Sequence, residues 1–153
     1  MSELASIKKE LFKIAYRLIE EKLEFNRKAL QELKESAGSE TKSSAGDKHE
    51  TGRAMVHLEQ EKMAHQLAGN QRIQSVLDKI DPEISNSAIS IGSLVITDKL
   101  RFFVSVALGK VEVNKTEYYL VSPTSPLAKQ FIGKQKGNTI QFNNQDYAIE
   151  EIL

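Results

Sequence analysis

Two carboxylates stand three residues apart in the run Gly46-Asp47-Lys48-His49-Glu50. On a helix that spacing puts both on one face, where they can share a divalent cation. Mg²⁺ takes one or two carboxylates, keeps several waters and is completed by phosphate oxygens from another molecule, so the pair suits phosphate chemistry performed together with a partner. The same residues also read as a capping box, with Asp47 as the cap and Glu50 reaching back to its backbone N–H. Acidic residues at a helix start favour the helix dipole as well, and from spacing alone this structural role is the stronger. Other chemistries find less support. His49, His57 and His65 recur every eight residues, so His57 and His65 lie about 12 Å apart on a helix, too far to share a metal. Gly46 and Gly52 have neither the preceding strand nor the following Gly-Lys-Ser/Thr of a phosphate loop. No Ser/His/Asp nucleophile arrangement can be argued, and the absence of cysteine removes disulfides, thiolate nucleophiles and the usual structural zinc sites. Phe102-Phe103 and Tyr118-Tyr119 have the rings to stack bases, but in strand-like runs one member of each pair normally faces the core.

The elements that must carry these residues are of two kinds. Of the first 80 residues 27 are charged, against 15 of the last 73, and seven of the ten aromatic residues fall in the second part. Asp81-Pro82 marks the boundary, because proline biases its predecessor out of helix and removes a donor; the expected domains are 1–80 and 81–153. In the first, Leu4, Leu11, Leu18 and Phe25 repeat every seven residues with Ile7 and Ile14 between them, and the stripe then shifts to Leu23, Leu30 and Leu33. A second stripe of Met55, Leu58, Met63, Leu67, Ile73, Leu77 and Ile80 follows a Ser/Gly/Thr-rich stretch, Ser36 to Gly46. Each stripe is too narrow to be buried except against a partner helix, which predicts an antiparallel hairpin from Leu4 to Ile80. An arm of about thirty residues reaches roughly 45 Å.

The second part predicts strands at 93–98, 102–108, 117–121, 139–142 and 147–152, with Asn143-Asn144 as the last hairpin turn. Ser125 suits a cap, Pro126 the first helical position and Gly133 the end of a short helix over 127–132. The fold class is therefore α+β: a helical hairpin followed by a small twisted antiparallel sheet wrapped on one helix. Zero net charge and a pI near 6.8 argue against strong independent binding of nucleic acid through charge. With no run of about 20 apolar residues and a charged start, neither a membrane span nor a secretory signal fits, and a cytoplasmic location is expected.

The order of parts resembles the Gre family of bacterial transcript-cleavage factors over nearly the whole chain. AGDKHETGRA, residues 45–54, is similar to that family's Gly-Asp-x-x-Glu-Asn-Ala pattern. IGSLV, residues 91–95, and SPTSPLAKQFIGKQKGNTI, residues 122–140, resemble its Gly-Ser-x-Val and Ser-Pro-Leu…Gly-Lys…Gly-Asp-x-Val segments. The resemblance implies an FKBP-like second domain that docks at the rim of the RNA polymerase secondary channel, with Ser125 and Pro126 as the expected partner-binding residues. It implies that the hairpin enters that channel, where Asp47 and Glu50 help hold the second catalytic Mg²⁺ and its attacking water. The polymerase then cuts the backtracked 3′ end of its own transcript, so the chain is expected to be no enzyme by itself. The partners implied are bacterial RNA polymerase and, within the complex, the nascent RNA 3′ end.

The chain departs from the family pattern at three positions. Lys48 stands where a leucine is common, and Thr51-Gly52 where Asn-Ala is common. A glycine in the first turns destabilises a helix by roughly 1 kcal/mol relative to alanine. A regulator that enters the same channel without stimulating cleavage is therefore the second reading. A prolyl isomerase or chaperone with a helical arm is a third, against which stand the lack of tryptophan and of any marked aromatic peptide pocket in 81–153.

Overall fold

The computed structural model describes residues 3–41 and 46–153, and the side chains of all of these except 39–41 and 46–50. Two long helices, α1 (Glu3–Thr41) and α2 (Gly46–Asp78), precede six strands and a short helix: β1 (Leu94–Thr97), β2 (Arg101–Val104), β3 (Gly109–Val113), β4 (Thr116–Val121), α3 (Pro126–Phe131), β5 (Thr139–Phe142) and β6 (Gln145–Ile152). The α+β class and the order of parts are those expected from the sequence. The end of the first helix differs, because α1 runs through Ser36 and Gly38 to Thr41. Its half-buried positions Leu30, Leu33 and Ala37 continue one stripe into that stretch, and packing along a helix outweighs the weak intrinsic preferences of Ser and Gly. Contacts divide the chain into two compact units, Met1–Leu18 with Ser75–Leu153, and Ile19–Gln74.

In the first unit the sheet order is β3-β4-β2-β1-β6-β5. The expectation of a purely antiparallel sheet fails at one place: β2 and β4 are parallel, with Phe102 opposite Tyr119 and Val104 opposite Val121. The cause is a strand that sequence periodicity did not reveal. Residues 102–106 are all buried, so the apparent alternation of Phe102, Val104, Val106 and Leu108 does not describe a half-exposed strand. The chain leaves β2 after Val104, forms β3, and returns through Asn114-Lys115, both at positive φ (52° and 64°), as β4. That hairpin lays β4 rather than β3 against β2. The turn at Asn143-Asn144 (φ 50° and 63°) joins β5 to β6 as expected.

Both faces of this sheet are covered. On one, Val95, Phe102, Val104, Ile140, Tyr147 and Ile149 pack around Phe131 of α3 and Ile89. The Phe131 ring meets Phe102 edge-on at 5.0 Å and Tyr147 at 6.1 Å, the geometry that ring quadrupoles prefer. On the other, Leu94, Phe103 and Leu120 form one fully buried row across three strands. Burial pushes the Tyr118 phenol above its ordinary range, with Arg101 opposing and Glu3 adding to the shift. Lys8 of α1 is almost wholly buried, and its Nζ donates to the Ile84 carbonyl at 2.7 Å. Burial lowers the Lys8 pKa and the Asp81 carboxylate partly offsets that, so the ammonium ties α1 to the segment after α2.

In the second unit the helices meet along a thinner seam. Ile19 and Leu23 are buried and Leu30 and Leu33 half-buried on α1, and on α2 Val56, Gln60, Met63, Leu67, Asn70 and Ile73 are half-buried, with Asn26 reaching Met63 and Asn70 across the pair. Three stripe residues expected in this seam lie outside it: Phe25 is 64% exposed, Met55 63% and Leu58 65%. A strict seven-residue repeat drifts about 20° per heptad around a straight helix, so three heptads carry Phe25 away from the direction of Leu4. The buried positions instead step by four, through Ile7, Leu11, Ala15, Ile19 and Leu23, and then reach Asn26.

Candidate functional site

α2 begins at Gly46, so Asp47 and Glu50 are its second and fifth residues, immediately after the connection between the two long helices. Their backbone is helical, and three residues of separation puts them on neighbouring turns of one face. The side chains of Asp47, Lys48, His49 and Glu50 lie outside the described residues. The donor set would suit Mg²⁺ by its chemistry, since carboxylate oxygens are the hard donors this ion takes, and Asp47 and Glu50 would be the residues to hold it. Among the described residues no group of three or more His, Asp or Glu side chains is placed to hold a metal ion. His57 and His65 are exposed on α2.

Ser125 and Pro126 are placed by a compact turn. Ser125 Oγ accepts the Ala128 N–H at 3.2 Å, and Pro126 occupies the first helical position of α3, where a missing N–H is harmless. The Ser125 N–H donates to the Ser122 carbonyl, and the Ser122 and Thr124 hydroxyls share a 2.7 Å hydrogen bond. Pro126 is exposed and Ser125 partly so, which leaves the start of α3 accessible on the surface of its unit. Gly133 follows the C-cap with φ +82°, a conformation that disfavours any side chain.

The other segment behind the family resemblance is equally structural. Gly92 has φ +93°, and its N–H donates to the Val104 carbonyl at 2.7 Å. A Cβ there would meet Ile80 at 3.4 Å. Ser93 is buried, and its Oγ accepts the Ser90 N–H. Of the aromatic pairs, Phe102 and Phe103 are both fully buried, whereas Tyr118 is buried and Tyr119 exposed. Neither phenylalanine is available to stack a base.

Two polar positions in the helices were not singled out by sequence reading. Lys8 reads in the sequence as one charge of a polar start, and Asn26 interrupts the aliphatic stripe of α1. The signal for Asn26 was present in the spacing Leu23-Asn26-Leu30-Leu33, which steps by three, four and three. For Lys8 there was none, since only the fold brings Ile84 beside it.

The sequence matches no protein-family model and no curated protein. Among solved structures, that of the transcription factor Gfh1 is similar over 90% of this chain and 92% of its own, at 21% identity and a TM-score of 0.38.

Proposed function

We propose that this chain is a secondary-channel factor of bacterial RNA polymerase that stimulates cleavage of backtracked transcripts through Asp47 and Glu50. The observation that carries the reading is the position of the two carboxylates in the first turns of α2, at the end of a long helix pair, in a run that resembles the Gre tip. A pair of carboxylates without further ligands binds Mg²⁺ weakly, so activity belongs to the assembled complex and the chain has no complete catalytic site. When bound there, the ion supplies Lewis-acid stabilisation of the attacking and leaving oxygens. The chain's own contribution is to deliver two carboxylate oxygen donors at the end of the helix pair, where acidic residues also favour the helix dipole. Ser125 and Pro126, accessible at the start of α3, are the proposed contact with the polymerase rim.

Lys48 and Thr51-Gly52 favour a second reading, a regulator that occupies the channel without promoting cleavage. The isomerase reading is weakened by the burial of Phe102, Phe131 and Tyr147 against one another, which leaves those rings no peptide to hold. The deciding experiment is transcript cleavage by backtracked polymerase with and without the protein. Asp47→Asn and Glu50→Gln should each reduce cleavage sharply while binding stays nearly intact, because asparagine still caps and glutamine still completes a capping box. Raised Mg²⁺ should partly rescue either single variant. Wild-type cleavage by the double variant would reduce the two residues to caps, and tight binding without cleavage by the wild type would establish the regulator.

A further inference from the structure

Among the described residues, the seam of the helical unit contains one fully enclosed polar side chain. Asn26 is 2% exposed. Its Oδ1 accepts from Asn70 Nδ2 at 2.6 Å, while its own Nδ2 lies 3.0 Å from Met63 Sδ and 3.4 Å from Gln66 Oε1. Every group that can satisfy the Asn26 amide in these contacts therefore comes from α2.

The rest of the seam specifies alignment weakly. Its α2 side alternates Val56, Met63, Leu67 and Ile73 with Gln60 and Asn70, all only half-buried. Aliphatic side chains of similar size exchange places at little penalty, and Met adapts to irregular gaps. A slide by one heptad, about 10 Å, would set Met63 or Leu77 where Asn70 stands. The Asn26 carbonyl, itself almost wholly enclosed, would then lose the donor it has in Asn70, a heavy penalty for a buried polar group.

We infer that the Asn26–Asn70 pair is a register pin, which gives up stability in order to hold α1 and α2 in a single alignment. A buried asparagine at a seam position is known to select register at the expense of stability. The consequence is positional. The alignment determines which residues occupy the end of the helix pair, and holds whether or not the tip carboxylates act on a transcript.

The test uses the full-length protein, whose lack of cysteine permits unambiguous labelling. Spin labels on Lys28→Cys and Lys62→Cys, both exposed, report the inter-helix distance by pulsed electron resonance. With the asparagines intact one narrow distance is expected. Asn26→Leu and Asn70→Leu singly should each lower the melting temperature, because each strands a polar partner. The Asn26→Leu/Asn70→Leu double variant should recover or exceed the original melting temperature and show a second inter-label distance. A double variant that keeps the single narrow distance would overturn the pin, and so would single effects that merely add, including outright loss of the helical fold in the double variant. Because the readout is a distance and a melting temperature, failure of the pin is distinguishable from failure of the transcript-cleavage reading.

Discussion

The sheet-bearing unit and the helical unit solve opposite problems. In the first, large apolar side chains are buried on both faces of one sheet: Phe102 and Phe131 on one side, Phe103 and Leu120 on the other, all at or near zero exposure. In the second, the seam beyond Leu23 is half-exposed, and its most enclosed residue there is an asparagine. Burial of apolar area is the main source of folding free energy, so stability concentrates in the sheet. Hydrogen bonds inside a seam contribute less to stability and more to uniqueness. A pair of helices has little interior with which to define itself. It therefore depends on a polar contact that a thicker core would not need.

Matched truncations give the sharpest break of this contrast. Phe131→Ala removes the ring that links Phe102 and Tyr147 and should destabilise the sheet unit by about 3–5 kcal/mol. Leu33→Ala, in the half-buried seam, should lower stability by only about 1–1.5 kcal/mol. Tyrosine fluorescence follows the sheet, which holds three of the four tyrosines, while far-ultraviolet circular dichroism at 222 nm is dominated by the long helices. Chemical denaturation watched by both probes should show the first substitution mainly in fluorescence and the second mainly in helicity. Equal midpoint shifts would mean that the two units share stability equally after all.

A smaller effect is expected at the surface turn before α3. Ser125→Ala deletes the acceptor for the Ala128 N–H and should destabilise the sheet unit by about 1 kcal/mol, whereas Ser125→Asp, which retains a capping oxygen, should not. If Ser125 also contacts the polymerase rim, the aspartate variant will weaken binding while leaving the melting temperature unchanged. Loss of binding only in proportion to lost stability would leave Ser125 as a cap alone.

The smallest effect concerns acid. The Asp98 carboxylate is held below its ordinary value near 3.8, chiefly by the Ala148 N–H and then by Lys99. The native state therefore binds fewer protons at Asp98 than the unfolded chain does. The resulting stabilisation is present above the unfolded value and is lost as pH falls through the lower, native one. Asp98→Asn should flatten the acid limb of the sheet unit's stability curve below about pH 4 and change little near neutrality. The helical unit should show no such response to this substitution, and a change in its acid unfolding would contradict the assignment of Asp98 to the sheet alone.

Local chemistry marked much of this architecture before any tertiary contact was known. Ser125, Pro126 and Gly133 delimit α3 within one residue of its observed bounds, because capping, a locked φ and a positive φ are properties of single residues. Asn143-Asn144 forms the predicted turn for the same reason. The pair Asn114-Lys115 adopts the same backbone without announcing it, since lysine at positive φ reflects the pairing of β3 with β4 rather than a preference of its own. Within the candidate site, the placement of Asp47 and Glu50 at the start of a helix followed from their spacing and their neighbours.

By itself the sequence determined the two helices, the predominantly β second part, the caps and turns, and the carboxylate pair at the start of α2, all from periodicity and single-residue conformational preference. Only the tertiary structure decided which of several apolar stripes became the seam, because Phe25 leaves it through an angular drift that a seven-residue count hides. The parallel pairing of β2 with β4, the capture of Lys8 by the Ile84 carbonyl and the Asn26–Asn70 bond were likewise decided there. Each joins residues at least 15 positions apart in the chain, and the energy that selects them comes from burial, which exists only once the chain has closed on itself.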